Sequence, residues 1–338
     1  MQQFRWSLTI LVCLGFLTRT VFAASPQNPL LTDDAIYVSD EGVYRFNRSD
    51  LSLDWAMLSG VQTFAPVISQ GLLFVGSSQG LYALDPESGR VLWNIEKSRT
   101  IFSPEVSEQL FAGSLHGELY AIDPVRGEIN WRVQFDGWIY SPVVMPEQGL
   151  LWTGGQAHQA FSIATIDGRR LQSIALNQES VFSPSDIGKQ QIAFNLFNGD
   201  TAIINSVSAK IDGWLKGSTQ PQNLQFDDRI IYRSNRDGSL SAYDRNSYRA
   251  LWQKTMVERD LTMHPGNAGF ILMSDLDRSL ILYDLQNQTE AWRRQLPGRW
   301  FAPIQADDGE IIYFISSASK PNRVSAVKFF GPVREKFK

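Results

Sequence analysis

The chain has almost no cysteine: one residue, Cys13, among 338. Cys13 lies in an apolar run from Leu8 to Leu17, so the remainder of the chain has no thiol at all. A chain of this kind forms no internal disulfide, has no thiolate nucleophile and holds no cysteine-ligated metal. It also has only three histidines. Zinc sites need several such ligands close together, so we expect surface histidines and no metal.

Basic runs are missing as well. The formal net charge is −4 at pH 7, and it becomes about −6 if Arg5 and Arg19 are lost with an N-terminal signal. An acidic chain without clustered lysine or arginine lacks the electrostatic footprint of a nucleic-acid protein. We therefore expect no binding to nucleic acid or to anionic membrane surfaces.

Hydrophobic runs long enough to cross a bilayer are absent too. Arg5 precedes the apolar run from Leu8 to Leu17, and Val21-Phe22-Ala23 ends in the small residue that signal peptidases require. About ten apolar residues are too few for a stop-transfer helix. We predict a cleaved signal peptide at residues 1–23, a mature chain of residues 24–338 with no membrane span, and a periplasmic or secreted location, with a Gram-negative envelope favoured.

Two features of this segment bear on how the chain is anchored. Arg19 lies unusually close to the predicted cleavage point, so an uncleaved anchor remains an alternative. A lipoprotein signal requires a small residue before the cysteine, but Val12 stands there and the apolar run continues beyond Cys13. We predict no lipid anchor.

A repeat organises the rest of the sequence. Residues 80–93 read Gly-Leu-Tyr-Ala-Leu-Asp-Pro-Glu-Ser-Gly-Arg-Val-Leu-Trp, which predicts two short strands joined by an Asp-Pro turn. Related copies occupy residues 42–55, 117–131, 238–252 and 279–292. A period near 40 residues with several strands in each unit is typical of a β-propeller.

Prolines mark the units of this repeat. Each one opens a short segment that leads into a stronger apolar strand, and proline is tolerated only at sheet edges and strand starts. We therefore expect each unit to run from an inner strand, through two buried strands, to an outer strand with tryptophan. The markers are Pro29, Pro66, Pro104, Pro142, Pro184, Pro221, Pro265 and Pro303.

The predicted fold is thus all-β: one propeller of about eight four-stranded antiparallel blades, with seven possible, each built from contiguous sequence. Pro332 to Lys338 is the candidate outer strand of the last blade. Two blades depart from the pattern. The fourth has Leu171 or Ile174 where tryptophan is expected, and the fifth keeps Trp214 but loses the aspartate turn. Relaxed packing is the favoured interpretation of this decay, and a surface remodelled for a partner is the alternative.

The pattern Gly-x-Leu-Tyr-Ala-Leu-Asp-x-x-x-Gly-x-x-x-Trp resembles the repeat of the PQQ-type propellers. That family includes quinoprotein alcohol dehydrogenases and the non-catalytic BamB-type proteins of outer-membrane assembly. The resemblance implies that the repeated tryptophans are docking residues between blades, not site residues. They are Trp55, Trp93, Trp131, Trp214, Trp252 and Trp292.

The enzymatic branch of that family implies features that this sequence lacks. Quinoprotein dehydrogenases are longer, hold calcium with acidic and amide side chains, and commonly place a vicinal cysteine pair over the quinone. The mature chain has no cysteine and no acidic cluster with calcium-loop spacing. We predict no cofactor and no metal. The repeated acids Asp85, Asp123, Asp244 and Asp284 are interpreted as turn formers.

Aromatic and arginine residues collect near one mouth of the predicted channel. Propeller geometry places the blade-to-blade connections and the hairpins between second and third strands on that face. Five aromatic residues, each two positions before a proline, are expected to pack around the channel: Phe64, Phe102, Tyr140, Phe182 and Phe301. The candidate partner-binding residues are Arg99, Trp138, Arg259, Arg299 and Trp300, because tryptophan and arginine often dominate interface energies.

These observations favour a non-catalytic exported scaffold, monomeric and similar to BamB-type proteins, that binds another envelope or outer-membrane protein through this mouth. The alternative is an accessory subunit of a periplasmic oxidoreductase that binds quinone or another small molecule at the same place. A third class, an enzyme with a non-thiol acid–base pair, finds no support in the sequence. No catalytic residue is assigned.

Overall fold

The computed structural model describes residues 29–264, 269–275, 279–295, 299–305, 310–317 and 320–330, with side chains through residue 295. The predicted signal peptide therefore lies outside the described residues. Among the described residues, no helix has the length and apolarity needed to cross a bilayer. The part of the chain that the structure describes contains one short helix, a 3₁₀ turn at Pro146–Gln148.

Strands make up nearly all of the regular structure. Blade 1 consists of β1 (Leu30–Leu31), β2 (Ala35–Asp40), β3 (Gly42–Asn47) and β4 (Leu53–Met57). Blade 2 consists of β5 (Val67–Ser69), β6 (Leu72–Ser77), β7 (Gly80–Leu84) and β8 (Val91–Ile95). Blade 3 consists of β9 (Glu105–Val106), β10 (Leu110–Gly113), β11 (Glu118–Ile122) and β12 (Ile129–Gln134). Blade 4 consists of β13 (Val143–Met145), β14 (Leu150–Gly154), β15 (Gln159–Ala164) and β16 (Arg170–Ala175).

The second half of the chain repeats this order. Blade 5 consists of β17 (Ser185–Asp186), β18 (Gln191–Asn195), β19 (Thr201–Asn205) and β20 (Lys210–Leu215). Blade 6 consists of β21 (Pro221–Phe226), β22 (Ile230–Asn235), β23 (Ser239–Asp244) and β24 (Ala250–Thr255). Blade 7 consists of β25 (Thr262–His264), β26 (Phe270–Ser274), β27 (Ser279–Asp284) and β28 (Thr289–Gln295). The last sheet consists of β29 (Arg299–Gln305), β30 (Glu310–Ser317) and β31 (Lys320–Phe330).

The all-β propeller architecture is confirmed. Seven sheets have four antiparallel strands and the last has three, which is compatible with the expected count of about eight blades, seven possible. In every sheet the neighbouring strands are consecutive in sequence, so the contiguous build of the blades is confirmed among the described residues. The candidate outer strand at Pro332 to Lys338 lies outside the described residues.

Proline marks the start of most inner strands, and Pro221 and Pro303 depart from this pattern. Pro221 is the first residue of β21, Pro303 lies inside β29, and Pro265 is outside the described residues. The remaining five stand immediately before their inner strands: Pro29, Pro66, Pro104, Pro142 and Pro184. Pro303 is tolerated within a strand because β29 is at the edge of its sheet, where a missing N–H need not break the ladder.

No single core holds the molecule together. Apolar clusters instead lie between neighbouring blades, one for each pair from blade 1 to blade 7. Between blades 2 and 3, for example, Phe74 and Leu81 pack with Leu110 and Tyr120. The middle strands are buried on both faces, which explains their nearly continuous apolar runs.

The outer tryptophans dock each blade onto the next. The indole Nε1 of three of them donates a hydrogen bond to a carbonyl oxygen in the next blade's turn between third and outer strands: Trp55 to Pro86 at 3.0 Å, Trp93 to Pro124 at 3.1 Å and Trp131 to Thr165 at 3.0 Å. The glycine of each turn lies flat against the same indole ring: Gly89, Gly127 and Gly168. The docking role implied by the resemblance is therefore confirmed for these three tryptophans.

The contact is inverted between blades 5 and 6. Trp214 packs between blades as predicted, but between blades 4 and 5 and not at the docking contact with blade 6. The strand register pairs Gly213, not Trp214, with the position that carries tryptophan in blades 2 and 3. Tyr248 of blade 6 occupies the turn position of glycine, with φ 57°, and its ring fills the space against Gly213. Trp214 is turned toward the cluster between blades 4 and 5 instead.

Blade 4 lacks the docking residue altogether. Register places Gln172 at the tryptophan position, so both sequence candidates, Leu171 and Ile174, are wrong. The large aromatic side chain of this blade is Trp152 of β14, fully buried in the cluster between blades 4 and 5. Trp152 lies at the position of Phe74 and Phe111, which in blades 2 and 3 pack against the outer tryptophan. The largest aromatic side chain of this blade therefore lies in its second strand, while Phe161 in the third strand packs toward blade 3.

The aspartates that look like a catalytic series are confirmed as turn formers. The Asp85 carboxylate accepts hydrogen bonds from the backbone N–H and the hydroxyl of Ser88, and these bonds lower the pKa of Asp85. Asp123, Asp244 and Asp284 accept equivalent bonds from backbone N–H groups of their own turns. A side chain engaged in this way shapes its turn at the end of the blade away from the mouth.

A substitution in the docking turn separates backbone strain from packing. Gly127 and Gly71 have similar φ values of 70° and 73°, but an added Cβ meets Trp93 at 2.7 Å only at Gly127, while Gly71 has open space. In both alanine variants the left-handed backbone should lower the free energy of unfolding by about 1 kcal/mol. Gly127→Ala should lose about 2 kcal/mol more because the indole must move. Urea unfolding of both variants measures the difference, and equal losses would show that the docking contact is not tight.

The inverted contact between blades 5 and 6 supports a swap experiment. Gly213→Trp alone should clash with Tyr248, and Tyr248→Gly alone should leave a cavity against Gly213, so each should lower the free energy of unfolding. The double variant again has one aromatic ring and one glycine at this contact. Its loss in the free energy of unfolding should be smaller than the sum of the two single losses by roughly 1–3 kcal/mol. Additive losses in a double-mutant cycle would contradict this account of the contact.

Candidate functional site

One end of the blades gathers the hairpins between second and third strands and the connections from each blade to the next. Both kinds of segment begin or end at the same end of the middle strands because neighbouring strands are antiparallel. We call this end the mouth. The turns between third and outer strands lie at the opposite end, which we call the turn face.

A stack of three aromatic rings crosses the mouth over blades 2 to 4. The ring centroids of Phe64 and Phe102 are 5.7 Å apart, and those of Phe102 and Tyr140 are 5.2 Å apart. The three residues are 5%, 8% and 5% exposed. Their interpretation as packing residues is therefore confirmed.

The stack does not continue as the sequence predicted. The backbone N–H of Tyr140 donates to Gly154, and the equivalent bond in blade 5 comes from Val181, which donates to Asn195. Val181, and not Phe182, thus follows Tyr140 in the ring, because the longer spacing before Pro184 shifts the register. Phe301 lies within β29, where its backbone pairs with Phe314.

Arg99 is held in a fixed orientation at the mouth. Its guanidinium forms ion pairs with Glu96 at 3.2 Å and, more closely, with Glu118 of the next blade. Glu118 is buried and also accepts a 2.6 Å hydrogen bond from the Tyr120 hydroxyl. Burial, followed by this bond, raises the pKa of Tyr120. The Arg99 side chain remains 40% exposed, so part of the guanidinium faces solvent.

Trp138 lies beside the aromatic stack, in the connection between blades 3 and 4. Its partly buried side chain packs with Leu115 against the three rings, and its carbonyl accepts a hydrogen bond from Gln156. Its indole Nε1 and the Tyr140 hydroxyl are both buried and lie near each other. Burial, with the nearby charge of Glu179, raises the pKa of Tyr140.

The five predicted partner-binding residues do not form one cluster. Arg99 and Trp138 lie on adjacent connections, before blades 3 and 4. Arg259 is exposed on the connection before blade 7, several blades away, next to an Asp260–Arg236 ion pair of 3.5 Å. Arg299 and Trp300, expected upstream of the inner strand, lie within β29 and pair with Ser316 and Ile315. Their side chains are outside the described residues.

Two of the three histidines are on the surface as expected, and the third is not. His116 and His158 are exposed, and His158 lies 3.5 Å from Glu179. His264 in β25 is 2% exposed, lies 2.5 Å from the Ser274 hydroxyl, and has its pKa lowered to about 3 by burial. The surface prediction for His264 is wrong because the inner strand of blade 7 packs against its neighbours on both sides.

Glu105 is a channel residue that the sequence reasoning missed. It begins β9, the innermost strand of blade 3, directly after Pro104. Water reaches its side chain, yet the surrounding protein disfavours the carboxylate and raises the pKa of Glu105 to about 7. An acidic residue immediately after a blade-opening proline was the available signal. Within the described part of the chain, no three histidine, aspartate or glutamate side chains gather as metal ligands would.

Comparison with known proteins places this geometry in context. The family model described as outer membrane protein assembly factor BamB matches residues 16–104. A search of curated proteins finds no match. The resemblance inferred from the repeat is thereby confirmed over the first two blades and the end of the predicted signal.

Solved structures extend the likeness of fold to most of the chain. BamB from Moraxella catarrhalis superposes with a TM-score of 0.73 at 14% identity, covering 89% of this chain and 96% of that chain. The computationally designed Ika8 protein superposes with a TM-score of 0.74 at 11% identity, covering 90% of this chain and 96% of that chain. At such identities the likeness establishes the propeller fold and nothing about the site.

The buried histidine predicts a pH-dependent stability. His264 stays neutral in the folded protein down to about pH 3, whereas in the unfolded chain it takes up a proton near its ordinary pKa of 6.5. The unfolded state therefore binds more protons below pH 6.5, and stability is lost as the pH falls toward 3. The slope from this group should approach about 1.4 kcal/mol per pH unit. The free energy of unfolding of the His264→Gln variant, measured between pH 3 and pH 6.5, should lack the pH dependence that His264 contributes.

Proposed function

We propose that the protein is a non-catalytic scaffold of the cell envelope that binds another envelope protein through the mouth of the propeller, as a BamB-like protein. The match of the first two blades to the BamB family model supports a role in the cell envelope. The propeller fold shared with BamB supports a scaffold built in the same way. Residues 1–23 support an exported location because they read as a signal peptide. We assign no reaction to the protein.

The observation that carries the proposal is that Arg99 and Trp138 lie on adjacent connections of the mouth. Both are partly exposed, and both are oriented by buried groups: Glu118 fixes the guanidinium, and the aromatic stack supports the indole. Side chains ordered before binding lose little conformational entropy when a partner docks. Tryptophan and arginine are also the residue types that most often dominate interface energies.

The same features favour docking over catalysis. The positive charge of Arg99 is largely neutralised by Glu96 and Glu118, so it is not poised over a reacting group. The aromatic stack fills the centre of this part of the mouth with buried side chains. A surface of this kind offers shape and hydrogen-bond donors, and we infer a protein partner that presents apolar side chains together with hydrogen-bond acceptors.

The test is recovery of the partner from an envelope extract with affinity-tagged protein. Trp138→Ala should reduce co-purification roughly tenfold or more, as expected for a central aromatic residue. The double variant Arg99→Ala/Glu118→Gln should also reduce it, and the second change avoids leaving a buried carboxylate without its cation. Asn246→Ala, an exposed change on the turn face, is the matched control.

The outcomes distinguish the mouth from other surfaces. Variants that melt like the wild type but lose the partner support the proposal. Full recovery of the partner with both mouth variants would show that the mouth is the wrong surface. A purified protein with an absorbing ligand and no protein partner would contradict the scaffold function itself.

A further inference from the structure

The turn face carries an apolar feature that the blade packing does not use. In blades 1 to 6, each turn between third and outer strands has the same backbone hydrogen bond from its fifth residue to its first, as in Gly89 to Asp85 and Ala209 to Asn205. In blade 7 the Asp284 carboxylate caps the turn through the N–H of Asn287, as Asp85 does through Ser88 in blade 2. The third residue of each turn therefore occupies one equivalent position at the tip. In blades 1 to 7 these tips are Ser49, Glu87, Val125, Ile166, Val207, Asn246 and Gln286.

Three consecutive tips are β-branched and aliphatic. Val125, Ile166 and Val207, in blades 3, 4 and 5, are 62%, 82% and 61% exposed, the largest values among the exposed large hydrophobic residues. The tips of the other four blades are polar and equally on the surface. Single exposed apolar residues need no explanation, but the same residue class at the same position in three adjacent blades is a patterned surface.

The turns that carry these tips are held rigidly. The carbonyl just before Val125 accepts the Trp93 indole bond, and the carbonyl before Ile166 accepts the Trp131 bond. The residue before Val207 is Ser206, whose hydroxyl accepts a 3.0 Å hydrogen bond from the Gln148 amide. The tips therefore cannot fold back onto the blades without breaking contacts between blades.

A cation accompanies each aliphatic tip. Arg126 follows Val125, and Arg169 and Lys210 each stand three residues after their tips, all three exposed. Acidic residues are present as well. Glu128 lies in the turn that carries Val125, and Asp167 is 4.0 Å from Arg169 in the turn that carries Ile166. Each turn thus presents an aliphatic group at its outermost point with a long cationic side chain beside it.

We propose that the turn face of blades 3 to 5 docks on the surface of a phospholipid bilayer. Val125, Ile166 and Val207 enter the boundary between headgroups and acyl chains, while Arg126, Arg169 and Lys210 reach lipid phosphates. Aliphatic groups that insert beside cations that stay at headgroup level are the arrangement that interfacial binding requires.

The shape of the surface favours a bilayer over a protein. The tips occupy equivalent positions in adjacent blades, so they protrude together, and each is separated from the next by polar residues of its own turn. A protein partner would need a separate pocket for each isolated tip, whereas an acyl boundary accepts all three at once. Because the whole chain is acidic, apolar insertion and not attraction to anionic lipid carries the binding. The proposal stands independently of the function proposed for the mouth.

Vesicle sedimentation tests the proposal with zwitterionic phosphatidylcholine vesicles. The triple variant Val125→Asp/Ile166→Asp/Val207→Asp should bind roughly tenfold more weakly than the wild type, because it replaces every inserted group with a carboxylate. The matched control is Ser49→Asp/Asn246→Asp/Gln286→Asp, which adds three aspartates at the same turn position in the other blades. The control should bind like the wild type.

A site-specific probe gives a second, independent measurement. In a Cys13→Ser background the chain has no other cysteine, so Ile166→Cys can be labelled with an environment-sensitive fluorophore, and Asn246→Cys is its counterpart on the same face. Binding to vesicles should shift the emission of the label at Ile166→Cys to the blue and leave the emission of the label at Asn246→Cys unchanged.

Three results would overturn the proposal. The first is a wild-type protein that does not bind vesicles. The second is equal binding by the wild type and the tip variant, which would assign binding to another part of the chain, such as the N-terminal apolar segment. The third is a wild-type dimer in sedimentation velocity that the tip variant dissociates, which would make a second copy the occupant of this surface.

Discussion

The hydrogen bond from an outer-strand indole to the turn carbonyl of the next blade is the contact on which the rest of the structure depends. It satisfies the N–H of a half-buried tryptophan, presses the ring against a turn glycine, and links two blades that share no backbone ladder. Because each blade buries its faces only against its neighbours, this repeated contact and the apolar clusters set the geometry of the ring. It also fixes the turns, whose tips form the face opposite the mouth.

The two ends of the blades therefore have different character for a physical reason. The turn end is tied down by indole bonds in blades 2 to 4 and by aspartate or asparagine side chains that cap most of the turns. The mouth is built from longer connections, and ion pairs between blades orient its side chains, as Glu118 orients Arg99. A rigid disc with a variable loop face and a flat turn face can contact two different surfaces at once, one at each end.

The irregular blades show how the contact can be rebuilt. Between blades 5 and 6 the aromatic ring moves to the turn, as Tyr248, and glycine moves to the strand, as Gly213, so the same volume is filled from the opposite side. In blade 4 the second-strand position of Phe74 and Phe111 holds the larger Trp152, and the outer position becomes Gln172. Packing conserves volume at the contact more strictly than it conserves which residue supplies it.

The sequence alone determined the fold class, the strand order, the turn role of Asp85 and its equivalents, and the docking role of Trp93 and Trp131. The first three follow from local signals repeated with one period, and repetition makes weak signals strong, whereas the docking role was implied by the resemblance to PQQ-type propellers. Tertiary structure alone decided the positions that depend on register. A bulge in every four-stranded blade offsets the outer strand by one residue, and in blade 5 the resulting register puts Gly213, not Trp214, at the docking position. The longer spacing before Pro184 puts Val181 in the place expected for Phe182, and packing of the inner strand of blade 7 buries His264. No local pattern records such an offset, because the cross-strand partner that sets it is distant in sequence.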